Sequence, residues 1–382
     1  MRESQVIFIH FTSTSFLLLP IVISCNSPSY PKCSPIIFEM TRITIQVNIN
    51  PACCLCPCYL NSKNTEKQED MAHPQELKSL TKAFSGLGVD EKSLISILGK
   101  SHPEHRTTFR KTSPHLFIDD ERSFERWDDH CITLLRHEFL RFENAVVLWA
   151  MHPWERDARS VYEALRLGSY DVIVEIACTR SSEELLGARK AYHSLYDHSI
   201  EEDVATHITS SERKLLVALV SAYRYEGPKV REDIAKHEAK LIANAIKNGD
   251  EKNPIEDDEV VRILTTRSKL HLEAIYRRYE EVSGNSIHED LEAADLILKK
   301  TVECLCTPQA YFSKVIDEAM RNDAEQHTKK ALTRIIVSRA DVDMKEIKEE
   351  YSSLYGVPLS QKIEDNASGN YKDFLLALIT RD

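Results

Sequence analysis

The chain has 382 residues, of which 42% are apolar and 29% are charged, with only 10 glycines and 14 prolines. This composition allows more than one hydrophobic core and argues against an all-β or a disordered protein. The formal net charge of -11 argues against a general nucleic-acid-binding protein, which would require a basic face. It also means that binding to an anionic membrane would require a cation between the protein and the lipid.

Residues 1–70 differ in composition from the rest of the chain. The stretch QVIFIHFTSTSFLLLPIVIS (5–24) is a marginal membrane span and a weak signal peptide, since a histidine and a proline interrupt it and no clean Ala-x-Ala site is present. PACCLCPCYL (51–60) could bind metal or carry acyl chains, although its cysteine spacing does not match a tetrahedral zinc site. We interpret residues 1–70 as an atypical N-terminal extension, and favour translated sequence upstream of Met71 over an anchor or a metal site. The four cysteines in the remainder indicate a reducing, cytosolic environment.

From Met71 onward, apolar residues recur at intervals of three and four, which is the spacing of buried helix faces. Leu94, Ile97 and Leu98 show this spacing, and it is found again along the whole remaining sequence. No alternating pattern typical of strands competes with it in residues 71–382. We therefore predict that this part of the chain is all-α.

The same residue pattern occurs four times. Arg180, Arg267 and Arg339 each have an isoleucine four residues before them and a tyrosine twelve residues after them. Ser101 takes the corresponding position in the first copy, and the four positions are 79, 87 and 72 residues apart (101 to 180, 180 to 267, 267 to 339). A unit of roughly 70 residues holds four or five helices of ordinary length. The sequence therefore predicts a repeat protein with four helical units.

The stretch FSGLGVDEKS (84–93) places a Gly-x-Gly turn before a helical segment. No strand pattern precedes it, which argues against a dinucleotide-binding loop, and the chain contains no Walker, zincin or EF-hand motif. Glycines permit backbone conformations that turn carbonyls outward, and Ca²⁺ accepts such oxygens when a carboxylate supplies charge. An isolated Gly-x-Gly is, however, more often a plain turn.

The fourfold repeat, the GLGVDE turn and the TRS sequences at helix ends together resemble the annexin family. CTRSSEELLGARKAYHSLY (178–196), SAYRYEG (221–227) and RILTTRSKLHL (262–272) are similar to plant-type annexins in particular. The resemblance covers residues 71–382 and implies a slightly curved disc of four annexin repeats, each with about five helices. The repeats that it implies span 76–150, 156–226, 236–307 and 312–380.

The resemblance also implies a calcium site in the first repeat. Its ligands would be the carbonyls of Phe84, Gly86 and Gly88 and the side chain of Glu138, which lies in the later segment RHEFLRFENAVVLW. One carboxylate with three neutral carbonyls gives low intrinsic affinity, so water or lipid phosphate oxygens would complete the six to eight ligands of Ca²⁺. Leu87 at the loop tip would either enter the membrane interface or pack on its own loop.

The other three repeats depart from the family at this turn. They read LRLGSYDVIV, IKNGDEKNPIEDDEVV and MRNDAEQHTKKALTR, and none retains Gly-x-Gly. Asp365 lies near the position of the capping carboxylate in the fourth repeat. We expect one effective calcium site, at most a poor second site in the fourth repeat, and weaker or more oligomer-dependent membrane binding than in relatives with several sites.

The function implied by the resemblance is calcium-dependent binding to acidic phospholipid membranes, with roles in membrane trafficking or stress response. The protein would be cytoplasmic and peripheral on membranes, would associate with itself or another annexin, and would bind no nucleic acid. We expect no enzymatic activity. An ion-conducting membrane protein is the alternative, although residues 71–382 contain no continuous apolar span of about 20 residues.

A peroxidase-like enzyme is less favoured. Lys100 occupies the position of the histidine to which that activity is attributed in some plant annexins. Cys178 and Cys304 resemble a redox pair proposed for the same branch, but small apolar core residues are the commoner interpretation. Trp149 is likewise interpreted as a core residue.

Overall fold

The computed structural model describes residues 74–85, 90–138, 141–249, 253–292 and 295–381. The chain divides into Met1–Glu69 and Asp70–Asp382, and the first of these parts lies outside the described residues. The interpretation of residues 1–70 as an extension, including the cysteine-rich segment, therefore also lies outside the described part of the chain.

The first helical unit contains both helices and strands. Its second helix continues into a π-helical turn, Leu94–Leu98, and a two-stranded antiparallel hairpin separates its third and fourth helices. The elements are α1 (Pro74–Ser85), α2 (Glu91–Ser93), α3 (Pro103–Thr112), β1 (Phe117–Asp120), β2 (Phe124–Trp127), α4 (Asp129–Glu138) and α5 (Arg141–Ala150).

The described residues of the remaining three units form helices joined by turns and loops, with no strand among them. The second unit comprises α6 (Pro153–Leu167), α7 (Tyr170–Thr179), α8 (Ser182–Tyr196), α9 (Ile200–His207) and α10 (Arg213–Val220). The third comprises α11 (Glu232–Lys247), a 3₁₀ turn (Pro254–Glu256), α12 (Asp258–Thr266), α13 (Lys269–Ser283), α14 (Ile287–Asp290) and α15 (Leu296–Cys306). The fourth comprises α16 (Pro308–Ala319), α17 (Gln326–Arg339), α18 (Met344–Tyr355), α19 (Leu359–Asn366) and α20 (Gly369–Ile379).

The predicted all-α repeat fold is confirmed, but the absence of strands is wrong at one place. In the hairpin, Phe117 is opposite Trp127, and Asp120 is opposite Phe124. Each strand has only four residues, so the alternation is too short to compete with helical periodicity in the sequence. Ser123 in the turn has a φ of 68°, a left-handed conformation that reverses the chain within a few residues.

The hairpin forms part of the core of the first unit. Phe84, Phe109, Phe117 and Trp127 are all buried, and the rings of Phe117 and Trp127 lie 4.3 Å apart between centroids. Aromatic pairs at such distances stabilise a fold beyond their buried area. The hairpin thereby provides the apolar surface on which the end of α1 rests.

Helix starts in the other units are set by local side-chain caps. The Ser181 side chain accepts a hydrogen bond from the backbone N–H of Glu184, and the Glu184 side chain accepts one from the backbone N–H of Ser181. Ser286 and Glu289 form the same pair of hydrogen bonds at the start of α14. Such capping boxes satisfy N–H groups that have no partner within the helix. These boundaries are therefore encoded by residues a few positions apart.

The four units pack in two pairs. Helix α7 of the second unit packs against α15 of the third, and α10 packs against α12. In the same way, α5 of the first unit packs against α17 of the fourth, while α20 packs against the π-helical turn. The first unit is thus adjacent in space to the fourth, although they lie at opposite ends of the helical sequence.

No helix in the described residues is both long and apolar enough to cross a membrane.

Candidate calcium site and loop face

Phe84 fixes the upstream end of the predicted calcium loop. It is the penultimate residue of α1, and its buried ring lies 5.8 Å from Phe109 and 5.7 Å from Trp127 between centroids. Its carbonyl is among the last four of the helix, which have no intrahelical donor. The helix dipole also places partial negative charge at this end, which favours a cation.

Asp90 fixes the downstream end of the same loop. Its carboxylate accepts hydrogen bonds from the Ser93 backbone N–H at 3.2 Å and from Ser93 Oγ at 2.6 Å. These two bonds lower the pKa of Asp90. The acidic residue after the glycines therefore starts α2, in the manner of an N-cap.

Three of the predicted site residues lie outside the described part of the chain, namely Gly86, Leu87 and Gly88. Glu138 is placed as the last residue of α4, but its side chain is outside the description. The donor set nevertheless fits calcium chemically, because it consists of backbone carbonyls at a helix end and one carboxylate, all of them hard oxygen ligands. Among the described residues, no group of three or more His, Cys, Asp or Glu side chains could hold a metal ion.

The corresponding turns of the second and fourth units are organised differently. In the second unit, Gly168 ends α6 with a φ of 70°, and α7 begins two residues later at Tyr170. In the fourth unit, Arg321 donates to both carboxylate oxygens of Asp323, at 3.1 and 2.9 Å, and these bonds lower the pKa of Asp323. Asp365, near the end of α19, accepts a hydrogen bond from Gln361 Nε2 at 3.1 Å. The carboxylates of Asp323 and Asp365 in the fourth unit thus already have protein partners.

Contacts between units bring the loops to one face of the helical part. Asn370 at the start of α20 donates to Glu91 at the start of α2, and Lys214 near the start of α10 pairs with Asp258 at the start of α12. Two further ion pairs extend this face: Lys300 with Asp171 at 3.4 Å and Lys330 with Glu163 at 2.8 Å. We call this side of the molecule the loop face.

Two leucines on the loop face are exposed. Leu167, at the end of α6, has 58% of its surface accessible, and Leu296, at the start of α15, has 60%. Large apolar side chains at loop tips are candidates for contact with a membrane interface.

The residues that the sequence marked for redox chemistry lie in the core. Cys178 and Cys304 are both buried and free of disulfide bonds. Burial raises the pKa of Cys178 to about 11 and that of Cys304 well above its ordinary value, so both remain protonated thiols at neutral pH. Trp149 is buried as well, and its Nε1 donates to the Leu98 carbonyl at 2.8 Å.

Sequence reasoning missed a group of charged residues beside the first unit. Asp341 forms ion pairs with both Arg106 and Arg381, and the two arginines also contact backbone carbonyls after α2. The signal for them was Ser101, which stands where the other three units have an arginine.

The helical part is therefore a protein of four five-helix units, in which the first unit packs against the fourth and the second against the third. The chain belongs to the annexin family and is of the plant type. The family model described as Annexin matches residues 156–219, 240–296 and 311–378.

Curated plant relatives match over nearly their whole length. Annexin D4 of Arabidopsis thaliana is 54% identical over 319 residues, which cover 81% of this chain and 99% of the relative. Annexin Gh1 of Gossypium hirsutum is 41% identical over 312 residues, covering 80% of this chain and 94% of the relative.

Among solved structures, annexin III superposes with a TM-score of 0.69 at 25% identity, covering 82% of this chain and 95% of that one. A structure of chicken annexin V in complex with Zn²⁺ gives a TM-score of 0.66 at 26% identity, covering 81% and 95%. Membership in this family supports calcium-dependent association with membranes.

Proposed function

We propose that this protein binds acidic phospholipid membranes in a calcium-dependent manner through one effective calcium site in its first unit. The observation that carries the proposal is the placement of Phe84, whose buried ring holds the carbonyl end of α1 against the core at the entry to the glycine turn. The ligands would be the carbonyls of Phe84, Gly86 and Gly88, with the carboxylate of Glu138 at the end of α4.

The charge of the protein requires such a cation. With a net charge of -11, the chain is repelled by an anionic lipid surface, and a bound Ca²⁺ supplies positive charge and open coordination positions for phosphate oxygens. A single carboxylate keeps the affinity low in the absence of lipid, because affinity follows the charge of the ligands. The protein would then respond to calcium and membrane together.

The loop face would make the contact with lipid. Leu87 at the tip of the loop would bury its side chain in the interface, which contributes about 1.5–3 kcal/mol. Leu167 and Leu296 are exposed on the same face and support this orientation.

We also propose a location, a cellular role and a mode of association for this protein. The protein would act from the cytoplasm as a peripheral binding protein rather than as an enzyme, in membrane trafficking or in a stress response. Self-association, or association with another annexin, would compensate for a single site by multivalency. The unit boundaries are proposed as 76–150, 156–226, 236–307 and 312–380.

The test is co-sedimentation of the full chain with phosphatidylserine vesicles across a calcium titration. Glu138→Gln removes the charge of the proposed capping ligand while keeping its size, and we expect half-maximal binding to require at least roughly tenfold more calcium, a change of about 1.4 kcal/mol. Glu104→Gln is the matched control, because Glu104 is an exposed carboxylate in the first turn of α3 and is not among the proposed ligands. Equal calcium requirements for wild type and Glu138→Gln would show that this site does not drive membrane binding.

A further inference from the structure

The end of the helix that follows the calcium loop has an unusual set of partners. The π-helical turn Leu94–Leu98 leaves carbonyls at its end without backbone donors of the ordinary α-helical kind. Three of these carbonyls are each taken by a side chain from another element: Leu98 O by Trp149 Nε1 at 2.8 Å, Gly99 O by Arg381 at 3.1 Å, and Ser101 O by Arg106 at 2.7 Å.

The two arginines are held in place by one carboxylate and one ring. Asp341, which follows α17 in the fourth unit, pairs with Arg106 through one oxygen and with Arg381 at 3.0 Å through the other. Both guanidinium groups face the ring of Trp149, at 3.7 Å for Arg106 and 5.1 Å for Arg381. The side chains of Arg106 and Arg381 are 9% and 10% exposed, so these charges interact through little solvent. We call Arg106, Asp341 and Arg381 the arginine clamp.

The opposite end of the same helix is also held by the fourth unit. Asn370 at the start of α20 donates to Glu91, the first residue of α2. The segment from Glu91 to Ser101, which continues directly from the calcium loop, is therefore fixed at both ends by residues more than 200 positions away in sequence.

In the other three units, the arginine at the corresponding position pairs with a carboxylate of its own unit. Arg180 pairs with Asp157, and Arg267 pairs with Glu238, in each case within the same unit. Arg339 pairs with Asp343 four residues later. In the first unit Ser101 replaces the arginine, and the positive charges come from α3 and from the segment after α20.

We infer that Arg381 is a positioning residue for the calcium loop of the first unit, so that the fourth unit and the segment after α20 set how readily the loop binds calcium. This inference rests on the proposed function. When the residues next to a loop are held rigidly, less conformational entropy is lost on calcium binding, because the loop carbonyls are already ordered in the folded protein. The resulting increase in affinity matters most for a loop whose intrinsic calcium affinity is low.

The first experiment measures the clamp without calcium. Hydrogen exchange of the amides of residues 94–101 is followed in calcium-free wild type and in Arg381→Gln, and we expect exchange to be roughly tenfold faster in the variant. Lys348→Gln is the matched control, because Lys348 donates to the Ile379 carbonyl at 2.7 Å, close in sequence to Arg381. This substitution removes one positive charge and one hydrogen bond at a helix end, and that bond does not involve the first unit. Equal exchange in the two variants would overturn the inference.

The second experiment repeats the vesicle titration with the same variants. We expect Arg381→Gln to raise the calcium concentration for half-maximal binding roughly fivefold or more, with full binding at saturating calcium. Arg381→Lys would show a smaller shift, because an ammonium can reach one of the two partners but lacks the fork of a guanidinium.

These outcomes separate the two proposals. A wild-type protein that ignores calcium and vesicles refutes the proposed function, while the calcium-free exchange still decides whether the clamp orders residues 94–101. Calcium-dependent binding with equal shifts for Arg381→Gln and Lys348→Gln keeps the proposed function and overturns the positioning role.

Discussion

The first and second units hold the ends of their second helices by different means. In the second unit Arg180 forks on Asp157 of the same unit, at 2.7 and 2.9 Å, and both side chains are 6% exposed. In the first unit the arginine is absent, and the corresponding helix end depends on Arg381 and on Asp341 of the fourth unit. In the second unit, the helix end is therefore stabilised by an ion pair within the unit. In the first unit, which contains the predicted calcium loop, the corresponding helix end is stabilised by residues of the fourth unit and of the segment after α20.

The two units also differ in how they rest on their neighbours. The hairpin of the first unit contacts the second unit through Arg122, which donates to His193 at 2.8 Å, and through the Trp127 N–H, which donates to Glu155 at 3.0 Å. The first unit is therefore attached to the second on one side and to the fourth on the other. If the proposed calcium site is present, we expect its affinity to respond to substitutions in the first, second and fourth units.

We expect the largest loss of stability when the ion pair at the helix end of the second unit is broken. Arg180→Ala leaves Asp157 buried without its main partner, and we expect a loss of about 3–5 kcal/mol in the free energy of unfolding. Ser101→Ala removes only a hydroxyl that donates to the Leu98 carbonyl, so its loss should be about 0.5–1.5 kcal/mol. Urea denaturation measures both variants. Similar losses would remove the distinction between the two units.

A smaller effect concerns the junction between these units. His152 caps α6, its Nδ1 accepting from the Trp154 N–H at 3.2 Å, and burial together with the charges of Arg110 and Arg156 lowers its pKa to about 3. An unfolded histidine titrates near pH 6.5, so the native state binds fewer protons between pH 6.5 and about 3, and stability falls as the pH drops through that window.

His152→Asn retains a capping acceptor and removes this titration. Between pH 7 and pH 5, wild type should lose about 1–2 kcal/mol more stability than the variant, measured by denaturation at each pH. His130→Asn, at an exposed position, serves as the control and should follow wild type. Parallel pH profiles for wild type and His152→Asn would mean that the junction does not keep this histidine neutral.

We expect the smallest effect on calcium-dependent vesicle binding from a substitution in the fourth unit. Asp365→Asn removes the carboxylate at the capping position of the fourth unit, where Arg321 already engages the acidic Asp323 of the turn. We expect the calcium required for half-maximal vesicle binding to change by less than roughly twofold, against tenfold or more for Glu138→Gln. A shift as large as that of Glu138→Gln would show that the fourth unit also carries a working site.

The helical units can be predicted from the sequence alone, because helical periodicity and capping involve residues within a few positions of one another. Ser181 with Glu184 and Ser286 with Glu289 are such local signals. The position of the predicted calcium loop is local in the same sense, since its glycines and Asp90 are neighbours in sequence, and the ligand assignment remains a prediction drawn from the family.

The contacts that complete the first unit join segments far apart in sequence, and they became visible in the folded structure. Arg106 and Asp341 are 235 positions apart, and no periodicity within either segment indicates that they meet. The hairpin was hidden for a related reason: its short strands are stabilised mainly by packing of Phe117 and Trp127 against Phe84 and Phe109, which is a property of the folded unit. Local order follows from short-range geometry, whereas buried charge pairing depends on which helices come to lie side by side.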